Sequence, residues 1–291
     1  MGHEFVGEIV EAGPEVDRFA VGDRVVSPFT TSCGRCFYCQ AGLTCRCSHG
    51  QLFGWVAGGE GLQGAQAELV RVPLADSTLV GVPPDLQAEE ALFTGDILST
   101  GFFCADAAGI EPGSVVAVLG CGPVGLMAVL GAKERGAGKI FAVDSISERL
   151  GLAEEWGALG VNFREVDPVA VLREATHGRG ADRVLEVVGT PAATRLAVDL
   201  SRPGGTISAA GVHTEQRFSF SPVEAYDKNL TYTAGRCPAR HYMDRLLQLL
   251  RTRKYDLSSL ISHRLTLAEG PRGYEIFSGK LEGCTKVLLQ P

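Results

Sequence analysis

Four cysteines, Cys33, Cys36, Cys39 and Cys47, form a CxxCxxCx7C pattern, placing four thiolates on one short stretch. Four soft sulfur ligands with no vacant position describe a structural, tetrahedral zinc site. An iron–sulfur centre and scattered free thiols are the other readings of the same spacing. Gly34 and Gly42 supply the backbone freedom that tight wrapping requires. Cys45 lies inside the cluster but off the pattern, as a bystander or a substitute for Cys47. Cys104, Cys121, Cys237 and Cys284 are isolated and read as small buried hydrophobes. A second group, Gly2, His3 and Glu4, sets a histidine beside a carboxylate. Such a pair can place an imidazole on a metal with the acid as an outer or exchangeable ligand, although alone it is more often ordinary surface. Asp96, in Thr94–Gly101, reads on its own either as a functional acid or as a helix cap or turn residue.

The fourth group is a glycine motif, Gly120, Gly122 and Gly125 in GCGPVG, with Pro123 and Val124 between the last two glycines. It follows an apolar run, Val115 to Leu119, and precedes apolar residues at helical spacing, so strand, tight turn and helix is the implied order. Gly120 permits the turn, Gly122 lets backbone approach a pyrophosphate, and Gly125 lets the helix lie close to the sheet. Pro123 suits a first helical turn, whose exposed amides would hold the pyrophosphate. A second apolar run, Lys139 to Val143, delivers Asp144 nineteen positions after Gly125, near the ~20 expected of an acid that binds the adenine ribose. Its carboxylate would accept the ribose hydroxyls and repel a 2′-phosphate, which argues for NAD over NADP. A merely glycine-rich turn is the bland alternative.

These groups need different scaffolds. Residues 1 to 80 are rich in glycine and short β-type runs, Val6 to Val10, Arg24 to Ser27 and Ala67 to Val72, and read as an irregular all-β region. After Pro112, strands at Val115–Leu119, Ile140–Val143, Gly160–Phe163, Arg183–Val187 and Gly205–Ala210 alternate with helices expected to begin near Pro123, Ser147, Asp167 and Pro191. That rhythm means βαβ units and a parallel sheet. A helix over Ala239–Arg253 and a β-like tail at Lys286–Leu289 close the chain.

The 291 residues, 45% hydrophobic and 21% charged, describe an ordinary globular protein of about two domains. A net charge of −7 without a basic stretch argues against nucleic acid or an anionic membrane as partner. No apolar run reaches the ~18 residues of a membrane span and the start has no signal-peptide pattern, so a cytoplasmic location is expected. Nine cysteines, five of them between Cys33 and Cys47, fit metal ligation in a reducing compartment better than disulfides.

Together the GHE at Gly2–Glu4, the cysteine loop, GDILSTG at 95–101, GCGPVG at 120–125 and KVLL at 286–289 resemble, in order, the zinc-dependent medium-chain alcohol dehydrogenase family. The resemblance implies an α/β fold: a doubly wound parallel Rossmann sheet plus a partial GroES-like β-rich catalytic domain. The expected division is catalytic domain 1–97, NAD-binding domain 98–234, and a return to the catalytic domain over 235–291. His3 and the Asp96 position become catalytic zinc ligands with Glu4 beside them, and Thr100 the residue packing on the nicotinamide. Most members carry cysteine where Asp96 stands; aspartate followed by ILxTG is similar to the branch containing glutathione-independent formaldehyde dehydrogenase, although the long insertion of those enzymes is missing. Val188, within Glu186–Gly189, and Gly211, closing Gly204–Gly211, match cofactor-side segments, and Arg236 and Lys286 match cations near the pyrophosphate. For either cation, solvated surface charge is the other reading. His213 reads as a cofactor-side or surface-loop residue, and His49, His177, His241 and His263 as surface or core.

The implied cofactors are one structural zinc, one catalytic zinc and NAD, and the implied partner is a small alcohol or aldehyde. The implied reaction is hydride transfer between an alcohol carbon and the nicotinamide, with zinc polarising the substrate oxygen. A homodimer or homotetramer is the family's usual assembly. The family also has about 60 residues before GHE, with the first zinc-ligand cysteine and the alcohol-side proton relay, a part too large to be a trimmed tail. The sequence therefore reads as lacking its N-terminus, by a misassigned start or a truncation. The second reading is a truncated, non-catalytic protein that binds NAD and zinc without a complete catalytic zinc site.

Overall fold

The computed structural model describes residues 1–291. Two of the short β-type runs near the start form strands, the first one residue earlier and shorter than Val6–Val10: β1 (Phe5–Glu8) lies antiparallel to β2 (Arg24–Ser27), with Phe5 opposite Ser27. After a short helix α1 (Phe37–Gln40) in the cysteine loop, the chain forms a hairpin of β3 (Trp55–Ala57) and β4 (Glu60–Leu62). The segment Ala67–Val72, expected to be a strand, is irregular and largely exposed. Its β-type composition has no neighbouring strand to supply ladder hydrogen bonds, and propensity alone does not make a strand. Helix α2 (Ala75–Thr78) and β5 (Val80–Gly81) follow, the latter completing a sheet of order β1-β2-β5. Helix α3 (Ala88–Leu92) then starts with a capping box between Gln87 and Glu90.

The chain divides into two compact units, Met1–Ser99 with Pro238–Pro291 and Thr100–Cys237, and α4 (Ile97–Ala107) carries it from one to the other. In the second unit the predicted alternation is realised as β6 (Val115–Leu119), α5 (Pro123–Glu134), β7 (Lys139–Asp144), α6 (Ser147–Glu155), β8 (Leu159–Asn162), α7 (Pro168–Ala175), β9 (Ala181–Glu186), α8 (Pro191–Leu200), β10 (Ser201–Ala209), α9 (Pro222–Asp227) and β11 (Thr231–Ala234). All pairings are parallel, and the order is β11-β10-β9-β6-β7-β8. This is the doubly wound order, whose direction reverses between β6 and β9. The runs read as apolar are buried because helices cover both faces: Leu119, Phe141, Val143, Leu172, Val184 and Ile207 share one core. Proline at the first turns of α5, α7 and α8 marks the starts that the sequence suggested.

The first unit ends with α10 (Ala239–Arg251), β12 (His263–Thr266), α11 (Gly270–Gly279) and β13 (Val287–Gln290), where β12 and β13 form a parallel pair. No helix is long and apolar enough to cross a membrane.

Candidate active site

In the first unit the β1–β2 pairing brings together residues far apart in sequence. Beyond β2 the chain continues to Phe29, whose amide donates to the Gly95 carbonyl (3.2 Å) and whose carbonyl accepts from Phe53 (3.1 Å). Gly95 lies so close to this extension that a Cβ there would sit 2.3 Å from the Ser27 carbonyl oxygen. Asp96 is thereby fixed beside the segment entering β1, which is itself pinned by the Ala65 and Gln66 amides bonding the Gly2 and Met1 carbonyls. The outcome is a 2.8 Å contact between His3 Nε2 and Asp96 Oδ2, with the His3 ring 5.9 Å from that of Phe29. The Asp96 hydrogen bond raises the imidazole pKa above its ordinary value, although burial works the other way.

Glu4 faces elsewhere in the same unit. Its Oε2 bonds the Lys286 ammonium just before β13, while Oε1 is buried without a partner. The structure thus brings His3 and Asp96 together, while the Glu4 carboxylate, held by Lys286, is not gathered with them. One imidazole nitrogen and one carboxylate oxygen are donors of the kind zinc takes. Thr100, one turn beyond Asp96 on α4, is 9% exposed.

The four pattern cysteines also converge, with ligand atoms all within 4.8 Å of one another, while Cys45 lies outside the group. Backbone donors already face the sulfurs: the Cys33 amide is 3.2 Å and the His49 amide 3.4 Å from Cys47 Sγ. The amides of Cys39 and Ser48 bring the Cys36 thiol down to about 6, and the Arg35 amide lowers Cys33. Burial pushes Cys39 up to about 12 and raises Cys47 as well. Four sulfurs gathered this closely suit a divalent cation, which binds them as thiolates.

In the second unit the glycine motif leaves the carboxyl end of β6 at the switch point. Gly122 caps α5 and Pro123 opens it, so the first amides of the helix, including that of Val124, point out of its N-terminus. Gly125 is obligatory: its Cβ would fall 1.7 Å from the Gly120 carbonyl oxygen. Asp144, which closes β7, is 8% exposed. Its Oδ2 accepts from the Cys121 amide (2.7 Å), and Oδ1 from Ser145 (2.6 Å) and Ile146 (3.1 Å). The acid assigned to a ribose therefore also braces the glycine turn. Val188 follows β9 and is 45% exposed, Gly211 follows β10, and Arg236 lies two residues beyond β11. Lys286, read from the sequence as a pyrophosphate cation, is paired with Glu4 in the first unit.

One residue escaped the sequence reading. Arg149, in the first turns of α6, is 9% exposed with its Nε unpartnered, and its Nη1 lies 3.7 Å from the Cβ position of Gly122. Its signal was its spacing, five residues after Asp144 and on the helix that the second strand feeds.

Comparisons with known proteins agree with this architecture. The model for the alcohol dehydrogenase GroES-like domain matches residues 1–84, and that for the zinc-binding dehydrogenase matches 123–252. Zinc-type alcohol dehydrogenase B of Aspergillus flavus is 42% identical over 287 residues, 96% of this chain, which spans 66% of that relative's length. NADP-dependent isopropanol dehydrogenase of Thermoanaerobacter brockii is 38% identical, covering 90% of this chain and 76% of its own. Among solved structures, alcohol dehydrogenase TADH from Thermus sp. ATN1 superposes with a TM-score of 0.92 at 42% identity, covering 99% of this chain and 83% of that one. With a GroES-like unit, a doubly wound parallel sheet and relatives of this closeness, the chain belongs to the zinc-type medium-chain alcohol dehydrogenase family of oxidoreductases.

Proposed function

We propose that the protein is an NAD-dependent zinc alcohol dehydrogenase that transfers a hydride between a small alcohol, or an aldehyde hydrate, and NAD. The observation that carries the reading is the 2.8 Å approach of His3 Nε2 to Asp96 Oδ2, two zinc-type donors brought together from opposite ends of the β-rich segment. His3 and Asp96 would hold the catalytic metal with Glu4 as the neighbouring acid, and Cys33, Cys36, Cys39 and Cys47 a structural one. When bound, zinc supplies a Lewis acid for the substrate oxygen and NAD the hydride acceptor. The chain's own groups do the positioning. Gly95 sets Asp96 against His3, Lys286 offsets the charge of Glu4, and Thr100 is the proposed packing residue for the nicotinamide. The amides that open α5 would take the pyrophosphate, and Asp144 the adenine ribose.

NAD is favoured because Asp144 places a carboxylate at the carboxyl end of β7, where a 2′-phosphate would be repelled. Arg149 beside it gives the site one cation, so cofactor choice is the first thing to measure. An aspartate ligand is less charge-donating than thiolate and leaves zinc a good Lewis acid, as in the branch it resembles. We also infer a homo-oligomer built through the nucleotide unit, whose edge strand β11 is flanked by exposed Phe218, Val223 and Tyr226. A zinc site needs its cysteines as thiolates, which favours residence in a reducing compartment such as the cytoplasm.

The test is reduction of NAD and NADP by primary and secondary alcohols, followed by the absorbance of the reduced nicotinamide. Turnover with NAD and abolition by a zinc chelator support the reading. No turnover with any alcohol in a preparation carrying its full zinc would refute it.

A further inference from the structure

Glu186 ends β9 with only 1% of its side chain exposed, yet it is a junction. Its Oε1 accepts from the amides of Val188 and Gly189, each at 2.8 Å, and its Oε2 lies 2.8 Å from His213 Nε2. Its own carbonyl accepts from Ala210 (2.9 Å) and Gly211 (3.1 Å). One residue thus ties together the turns that follow β9 and β10. The first of these turns abuts the glycine motif, for a Val188 methyl lies 2.6 Å from the Cβ position of Gly120. The buried charge is felt nearby: the Cys104 thiol is pushed up to about 12, chiefly by burial and further by Glu186, and the Tyr232 phenol is raised by the same two causes.

A carboxylate this deeply buried persists only when both oxygens are satisfied. Two amides serve Oε1. His213 serves Oε2 from the turn after β10, with 27% of its side chain still open to solvent. Without that donor Oε2 is left buried and unpaired, and the carboxylate must rotate toward water, which loosens its hold on the 188–189 amides.

We propose that His213 is a positioning residue for the dinucleotide: by donating to Glu186 it locks the Val188–Gly189 turn against the glycine motif, in the conformation that receives the cofactor. The binding consequence rests on the NAD reading above, whereas the locking of the turn does not.

The experiment compares His213→Leu with His213→Gln, whose side-chain amide can donate to Glu186. Amide hydrogen exchange of the cofactor-free chain reads the turn, and calorimetric titration with NADH reads binding. For His213→Leu we expect Val188 and Gly189 to exchange roughly tenfold faster with β6 and β9 unchanged, and NADH to bind about tenfold more weakly. His213→Gln restores both. Unchanged exchange at Val188 and Gly189 in His213→Leu, or wild-type affinity despite faster exchange, overturns the proposal, as does failure of His213→Gln to rescue. A wild-type chain that binds no NADH refutes the NAD reading, and the exchange measurement then still decides whether His213 locks the turn.

Discussion

His3 Nε2 and Asp96 Oδ2 stand 2.8 Å apart although 93 residues separate them in sequence, and Gly95 is what permits the approach. A methyl group at position 95 would meet the Ser27 carbonyl at 2.3 Å, so the strand extension carrying Phe29 must shift and take the Asp96 backbone with it. Gly95→Ala should destabilise the protein by about 1–3 kcal/mol and lower kcat/KM by more than its stability loss explains. Denaturant melts paired with steady-state kinetics on the folded fraction check this.

The cysteine loop is a separate site with a separate consequence. Cys36→Ser should remove one zinc and lower the unfolding temperature, because three thiolates hold the loop less tightly than four. Metal analysis and calorimetry of the variant are the check. Retention of that zinc with an unchanged melt would show the four sulfurs are not the ligand set.

Asp144 accepts the Cys121 amide on one carboxylate oxygen and the Ser145 and Ile146 amides on the other, and is proposed to face a ribose; an asparagine keeps one acceptor oxygen and no charge. Asp144→Asn should lower kcat/KM for NAD by about tenfold and raise the NADP-to-NAD preference by at least that factor, since the repulsion of a 2′-phosphate disappears while Arg149 remains. Parallel kinetics with both cofactors measure it. An unaltered preference would remove Asp144 from the specificity argument.

Asp182, at the opposite end of the sheet, should contribute to acid sensitivity. Burial raises the pKa of Asp182, but the Arg202 guanidinium and the Val115 amide outweigh it and hold the carboxyl below its usual value. A depressed folded pKa contributes stability above the unfolded value of about 3.9, and that contribution is lost as pH falls through the folded value. Asp182→Asn should therefore flatten the fall of the melting temperature between about pH 5 and about pH 3. Melts across that interval test it.

Much of the fold was legible because the second unit obeys local rules. Val115–Leu119 was read with its observed bounds, and Pro123, Pro168 and Pro191 mark helix starts by their own chemistry. The first unit was harder to read, since Ala67–Val72 has the composition of a strand and no ladder to join. Cys33 to Cys47 could be found because close spacing forces proximity. The His3–Asp96 contact could not be read from either residue alone; it depends on β1–β2 register and the Gly95 approach, both long-range. Arg149 was missed because a buried arginine in a helix looks like a surface charge until its burial is known.

The central claim is that His3 and Asp96 hold a catalytic zinc distinct from the one in the cysteine loop. Zinc content measured alongside alcohol-dependent NAD reduction, in the wild type and in Asp96→Ala, tests it most directly. The account predicts about two zinc ions per chain with turnover in the wild type, and about one with activity reduced at least a thousandfold in the variant. Equal zinc content and equal turnover in the two proteins would contradict it.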